Sequence, residues 1–135
     1  MFRLVIDTNI LIAAFLTPHG TSSKLLRQTL EQHGVYLSPY ILNEFLRVIN
    51  YPRIRRRYQF TDEEVASFVT RLTESSNLSN PSTKISVCAD PEDNAILALA
   101  VEMESDYLVT RNIKDFPGTY EGVKIVTPEQ ILKLL

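Results

Sequence analysis

One cysteine, two histidines and four glycines are all that the 135 residues supply of these types. With Cys88 alone no internal disulfide can form, which fits a reducing, cytoplasmic setting. His19 and His33 do not stand at ligand spacing with Cys88, so a zinc site is a poor fit. No G-x-x-x-x-G-K run is present, which excludes a P-loop, and no G-x-S-x-G element marks a hydrolase elbow. No apolar run approaches the roughly 18 residues a membrane span needs, so no membrane partner is expected. The chain opens directly on the strand-like Phe2–Ile6, without the apolar region and cleavage site of a signal peptide. A net charge of −2 argues against a protein that coats nucleic acid by overall charge. It leaves room for a local basic patch. The length and a hydrophobic fraction of 44% fit one domain, residues 1–135, with a core that needs no staples.

What is present alternates. Phe2–Ile6, Val35–Leu37, Tyr107–Thr110 and Val123–Val126 are short apolar, β-prone runs of the kind buried in parallel sheets. Between them lie helical patterns. Ile10–Phe15 looks helical, and Thr21 or Ser22 can cap a helix to about Gln32, with Gly34 as its stop. Ser38-Pro39 opens a helix whose Ile41, Leu42, Phe45, Leu46, Val48 and Ile49 share one arc, and Pro52 ends it. Thr61 to Glu64 has capping-box spacing for a helix to about Glu74. Ser75–Ser82 reads as a loop and Lys84–Val87 as a short strand. Asp90-Pro91 caps a helix through Val101, and Thr127-Pro128 opens a terminal one. The pattern predicts an α/β three-layer sandwich with a mainly parallel central sheet flanked by helices. In such sheets, ligands bind beyond the carboxyl ends of the strands.

Acids gather at that edge. Asp7 directly follows the first strand, where a charge between apolar residues needs a partner. Asp93 lies in the first turn of the helix after Asp90-Pro91, and Asp115 follows Tyr107–Thr110 by a short loop. Glu44 sits on the shoulder of its helix's apolar arc, facing a neighbouring cleft. Asp90 is most simply a helix cap. Four carboxylates at close range repel unless a cation joins them. Mg²⁺ or Mn²⁺, one or two ions, prefers oxygen ligands. Such ions bind phosphate oxygens, activate water and stabilise a leaving alkoxide, so phosphodiester hydrolysis is the natural reaction.

These segments resemble the PIN-domain family of nucleases, in particular the VapC-type toxins of bacterial and archaeal toxin–antitoxin systems. Val5-Ile6-Asp7-Thr8-Asn9 is similar to the family's opening D-x-N motif, and Leu42-Asn43-Glu44-Phe45 to the second. Asp90-Pro91-Glu92-Asp93-Asn94 and the apolar helix after it are similar to the third, and Leu108 to Phe116 to the fourth. The resemblance spans essentially the whole chain. It implies Asp7, Glu44, Asp93 and Asp115 as catalytic metal ligands, with Asn9, Thr110, Asn112 and Asp90 in support. Many relatives carry an aspartate where Asn112 stands, and Asp115 is then the fourth acid. It also implies Mg²⁺- or Mn²⁺-dependent RNA cleavage, 5′-phosphate products, a homodimer and a cognate antitoxin.

Arg53, Arg55, Arg56 and Arg57 crowd one segment, with Arg47 before it and Tyr51 and Tyr58 flanking. Arginines pair with phosphates and stack on unpaired bases, so this run is a candidate RNA-binding surface, or else charge for solubility. Two other functions compete with nuclease activity. A non-catalytic PIN module would bind RNA or a protein partner without cutting. A receiver-type domain needs an acidic pair at the first strand end, which Asp7-Thr8-Asn9 does not supply.

Overall fold

The computed structural model describes residues 1–135. Its strands are β1 (Arg3–Ile6), β2 (Gly34–Leu37), β3 (Asn77–Leu78), β4 (Tyr107–Val109), β5 (Thr119–Tyr120) and β6 (Val123–Val126). They form one six-stranded sheet in the order β3-β2-β1-β4-β6-β5. All neighbours are parallel except β5, which runs antiparallel to β6. Seven helices flank the sheet: α1 (Thr8–Leu16), α2 (Thr21–Gln32), α3 (Pro39–Ile49), α4 (Pro52–Tyr58), α5 (Asp62–Glu74), α6 (Asp93–Glu102) and α7 (Pro128–Leu132). The α/β sandwich read from the sequence is the observed architecture. No helix is long and apolar enough to cross a membrane.

Burial explains why the strands read as unbroken apolar runs. Leu4, Val5 and Ile6 are all fully buried, because β1 is central and its two faces are covered. Ile96 to Ala100 are five consecutive buried residues, so α6 is enclosed almost all round and packs on β1, β2 and β4. The caps behave as their sequences require. The Ser38 hydroxyl accepts from the Ile41 amide, and Thr61–Glu64 and Thr127–Gln130 each close a capping box.

Several boundaries differ from the sequence reading. Lys84–Val87 is not a strand. The amides of Val87 and Cys88 donate instead to the side-chain oxygen of Asn94, at 3.1 and 2.9 Å, which withdraws them from any ladder. A two-residue strand, β3, stands inside the stretch expected as loop. Both its residues are exposed, and they pair with Tyr36 and Leu37 because β2 has a free edge there. Gly34 does not stop α2; it is the first residue of β2, and His33 caps the helix. Thr21 is the first residue of α2 rather than its cap, which is Gly20. Pro52 does not end α3, which stops at Ile49; it opens α4, so the basic run is helical. In the hairpin of β5 and β6, β6 is the expected Val123–Val126 strand, while the two-residue β5 had no apolar signal. The hairpin's turn, Glu121-Gly122, has both φ angles positive, 50° and 84°, the pattern of a type I′ connection.

Candidate functional site

The chain order reverses at β1: β2 and β3 extend the sheet one way, β4 and β6 the other. Open α/β sheets bind ligands at such a switch point, beyond the carboxyl ends of the two strands. Asp7 leaves β1 there and Thr110 leaves β4 beside it. The Asp7 amide donates to the Val109 carbonyl at 3.0 Å, and the Thr110 hydroxyl donates to the Asp7 carboxylate at 2.7 Å. Thr110 in turn accepts from the Asn112 amide at 3.1 Å. Asp7 is 5% exposed and Thr110 fully buried, so this carboxylate is aimed by its surroundings rather than by solvent.

The other acids come from two further elements. Asp93 is the first residue of α6, whose N-terminus lies at the same edge. Asp90 does not cap that helix as expected. Its side chain accepts from the Glu92 amide and its carbonyl from the Asp93 amide, both at 3.0 Å, which makes a tight turn ahead of the helix. The turn delivers Asp93 to the cleft. Asp115 closes a 3₁₀ turn, Ile113–Asp115, and its carbonyl accepts from the Ala89 amide at 3.1 Å, tying the two acidic segments together.

Electrostatics register this convergence. Burial raises the Asp93 carboxyl to about 6, and the neighbouring charges of Asp7, Asp90, Asp115 and Glu92 push in the same direction. Burial also raises Asp7, with Asp115 adding to it. The Thr110 hydroxyl and the amides of Thr8 and Asn9 oppose the shift, although neither amide closes a capping hydrogen bond. The Asn9 side chain itself is exposed. The chain's three ion pairs involve Arg47, Arg55 and Arg111, and none reaches Asp7, Asp93 or Asp115. Three carboxylates therefore share a cleft with no cation of the protein's own.

Glu44 stands apart. Arg47, one turn along α3, holds it in a bidentate pair at 2.7 and 3.1 Å and lowers its pKa. Arg47 is also bonded to the Tyr51 hydroxyl. Tyr40 stands one turn before Glu44 on α3, and its phenol is pushed up by burial and then by Glu44, Glu92, Asp93 and Asp90. Sequence reasoning missed both neighbours. The i,i+3 spacing of Glu44 and Arg47 and the i,i+4 spacing of Tyr40 and Glu44 were the available signals.

A hard divalent ion suits an all-oxygen donor set of this kind. No three of the acids close on one point as a preformed cage. Mg²⁺ does not require one, since it keeps several waters and takes one or two carboxylates. Asp7 and Asp93, with Asp115 beside them, fit that requirement.

A model of the PIN domain matches residues 3–114. The chain belongs to the PIN domain family. The match takes in Asp7, Glu44, Asp93, Thr110 and Asn112, and ends one residue before Asp115. Among relatives of this PIN domain, the uncharacterised protein MJ1680 of Methanocaldococcus jannaschii is 33% identical over 104 residues. That alignment covers 76% of this chain and 66% of the relative, slightly less than two thirds of its length. The fold is also similar to that of VapBC2 from Rickettsia felis, solved bound to a DNA fragment from their promoter. The TM-score is 0.62 at 16% identity, covering 93% of this PIN domain and 98% of that chain.

The basic helix α4 divides into two parts. Arg55 is engaged within the chain: it donates to Asn50 and to the Phe60 carbonyl, pairs with Asp62 at 2.7 Å and lies over the Phe60 ring. Arg53, Arg56 and Arg57 are exposed and carry no ion pair.

Proposed function

We propose that this PIN domain is a Mg²⁺- or Mn²⁺-dependent endoribonuclease working at the cleft of Asp7, Asp93 and Asp115, and that it is the toxin of a toxin–antitoxin pair. One observation carries the nuclease reading: three carboxylates from three elements share the switch-point crevice with no protein cation beside them. PIN domains are in general nucleases, which supports it. The antitoxin reading draws on the likeness to the VapBC2 complex.

Asp7 and Asp93 would hold the ion, with Asp115 beside them and Glu44 reached on release from Arg47. When bound, the ion supplies a lowered pKa for the attacking water and positive charge against the phosphoryl and leaving oxygens. The chain's own residues do the rest. Thr110 fixes the rotamer of Asp7, so the carboxylate needs no reorganisation when substrate arrives. Asn112 orients Thr110 through its backbone amide, and Asn9 adds an amide dipole toward Asp7. The tight turn at Asp90 sets Asp93 against them.

The test begins with single-stranded RNA. Cleavage in Mn²⁺ and none in EDTA is expected, with 5′-phosphate ends; cleavage that persists in EDTA overturns the metal reading. A pH series tests Asp93 itself. Its folded pKa of about 6 lies above the ordinary 3.8. The stability it lends the metal-free chain is thus full below pH 3.8 and is lost as pH rises through about 6. A cation competes with that proton, so its binding strengthens over the same window. At a hundredfold excess over Kd the linkage is worth about 2.7 kcal/mol, on the order of 10 °C in Tm for a chain of this size. At pH 5 the apparent affinity for Mn²⁺ is expected to be about tenfold weaker than at neutral pH. Equal Mn²⁺ stabilisation at pH 5 and pH 7.5 would remove Asp93 from the ligand set.

The arginines separate by a second pair of variants. Arg53→Gln/Arg56→Gln/Arg57→Gln is expected to leave Tm unchanged and to reduce the slope of log K against log salt by about 2, since each single-strand phosphate contact contributes roughly 0.7. Arg55→Gln is expected to do the reverse, lowering stability on the order of 1 kcal/mol through its lost hydrogen bonds. An unchanged salt slope in the triple variant returns those residues to the solubility reading.

A further inference from the structure

Beside the acidic cleft lies a second concavity of about 260 Å³, at the carboxyl edge of β2 and β3. Tyr40 relates the two: it lines the cavity, and the charges of Glu44, Glu92, Asp93 and Asp90 act on its phenol. Asn94 lies against both, since it lines the cavity and directly follows Asp93 on α6.

Four features of the cavity bear on what it holds. Ile85, Ala95 and Ala98 give it an apolar lining. Tyr40 is the aromatic residue that lines it. Asn94 lines it too, and the oxygen of its amide accepts from Val87 and Cys88, so its orientation is set and the NH₂ is left with no partner in the chain. One cation, Lys84, stands among the lining residues and makes no ion pair.

The loop that closes the cavity has no regular structure, yet it is pinned at both ends. One oxygen of Glu102 accepts from the amides and hydroxyls of Ser82 and Thr83, at 2.8 to 3.1 Å. The Ser79 amide donates to the Leu37 carbonyl at 2.8 Å. The cavity is thereby formed before any ligand arrives, as binding sites usually are.

We propose that this cavity is a nucleobase subsite for the RNA strand whose phosphodiester lies at Asp7 and Asp93. The proposal deepens the nuclease reading and rests on it. A base stacks on the Tyr40 ring against the apolar lining, and the Asn94 NH₂ donates to a ring carbonyl or ring nitrogen. Lys84 meets the adjoining phosphate. Every base offers that donor an acceptor, a ring carbonyl in uracil, guanine and cytosine or a ring nitrogen in adenine, so the subsite binds a base without selecting among them.

The test titrates the full chain, ¹⁵N-labelled and metal-free, with uridine 5′-monophosphate and adenosine 5′-monophosphate. Shifts centred on Tyr40, Ile85, Ala95 and the Asn94 side chain are expected with both nucleotides. Ala95→Met fills the cavity and Tyr40→Leu removes the stacking face. Each is expected to weaken uridine nucleotide binding about tenfold, and the same spectra report whether the variant is folded. In Mn²⁺, Ala95→Met should raise the KM for RNA several-fold with kcat little changed. Nucleotide shifts unaffected by both variants, or an unchanged KM in Ala95→Met, overturn the subsite and leave the nuclease reading standing. Nucleotide binding in the cavity without cleavage in Mn²⁺ supports the subsite and overturns the nuclease reading.

Discussion

The Asp7→Asn variant is expected to stop RNA cleavage while making the metal-free chain at least as stable as wild type. Both halves follow from one environment. Asp7 is buried, its carboxyl is raised by that burial, and no cation of the protein offsets its charge. In the metal-free chain the charge is therefore a liability at neutral pH. The amide of Asn keeps an oxygen for the Thr110 hydroxyl, which donates to Asp7 at 2.7 Å, and it removes the charge. Lost metal stabilisation of the transition state is worth several kcal/mol, and about 4 kcal/mol corresponds to about 10³ in rate. The stability difference has a sign that pH can check. Because the folded-state pKa of Asp7 is raised, wild type recovers as pH falls and the carboxyl takes up its proton. The advantage of the variant in a thermal melt should thus shrink toward pH 4. Wild-type cleavage by Asp7→Asn in Mn²⁺ would remove Asp7 from the reaction. A destabilised variant would instead make Asp7 a structural residue.

Phe45→Ala carries the second large effect, on stability. Phe45 is fully buried on α3, stacks on Phe68 of α5 at 5.2 Å and meets the edge of Phe15 of α1 at 5.8 Å. Phe15 also packs edge-on against Phe60, just before α5. These four rings join three helices. Truncating a buried phenylalanine costs about 3–5 kcal/mol, a large share of the roughly 5–15 kcal/mol that holds a domain folded. Urea denaturation should show a large fall in midpoint. Phe45→Leu, which keeps most of the volume, should cost no more than about 1.5 kcal/mol. An alanine variant within about 1 kcal/mol of wild type would mean that α3 is docked by something other than these rings. The effect reaches the cleft too, because Phe45 follows Glu44 and α3 also carries Tyr40.

The two variants separate what the sequence could state from what it could not. The alternation of apolar runs and capped helices announced an α/β sandwich, because buried parallel strands must be apolar throughout and helices must mark their ends. Thr61–Glu64 and Thr127–Gln130 were legible because a capping box is local: four residues contain both hydrogen bonds. Asp7 was legible for a similar reason, as an acid placed at the end of an apolar strand. Lys84–Val87 misled because its pattern was β-like while its amides were claimed by a side chain further along, Asn94. β3 was invisible because its two exposed residues pair only through the free edge that β2 offers.

The acidic site follows the same division. Its candidate members were named from the sequence: an acid after the first strand, one at the start of an apolar helix, one past the fourth strand, and a glutamate beside Phe45. Their standing relative to one another was not. Only the folded chain places Thr110 on Asp7 across 103 positions of sequence, brings Asp115 beside them, and binds Glu44 to Arg47. The reason is physical. Periodicity and capping depend on neighbours a few residues away, so sequence alone determines elements and their chemistry. The field at a carboxylate depends on every charge and every buried surface within several ångströms, and the parallel crossovers of the sheet bring those from distant parts of the chain.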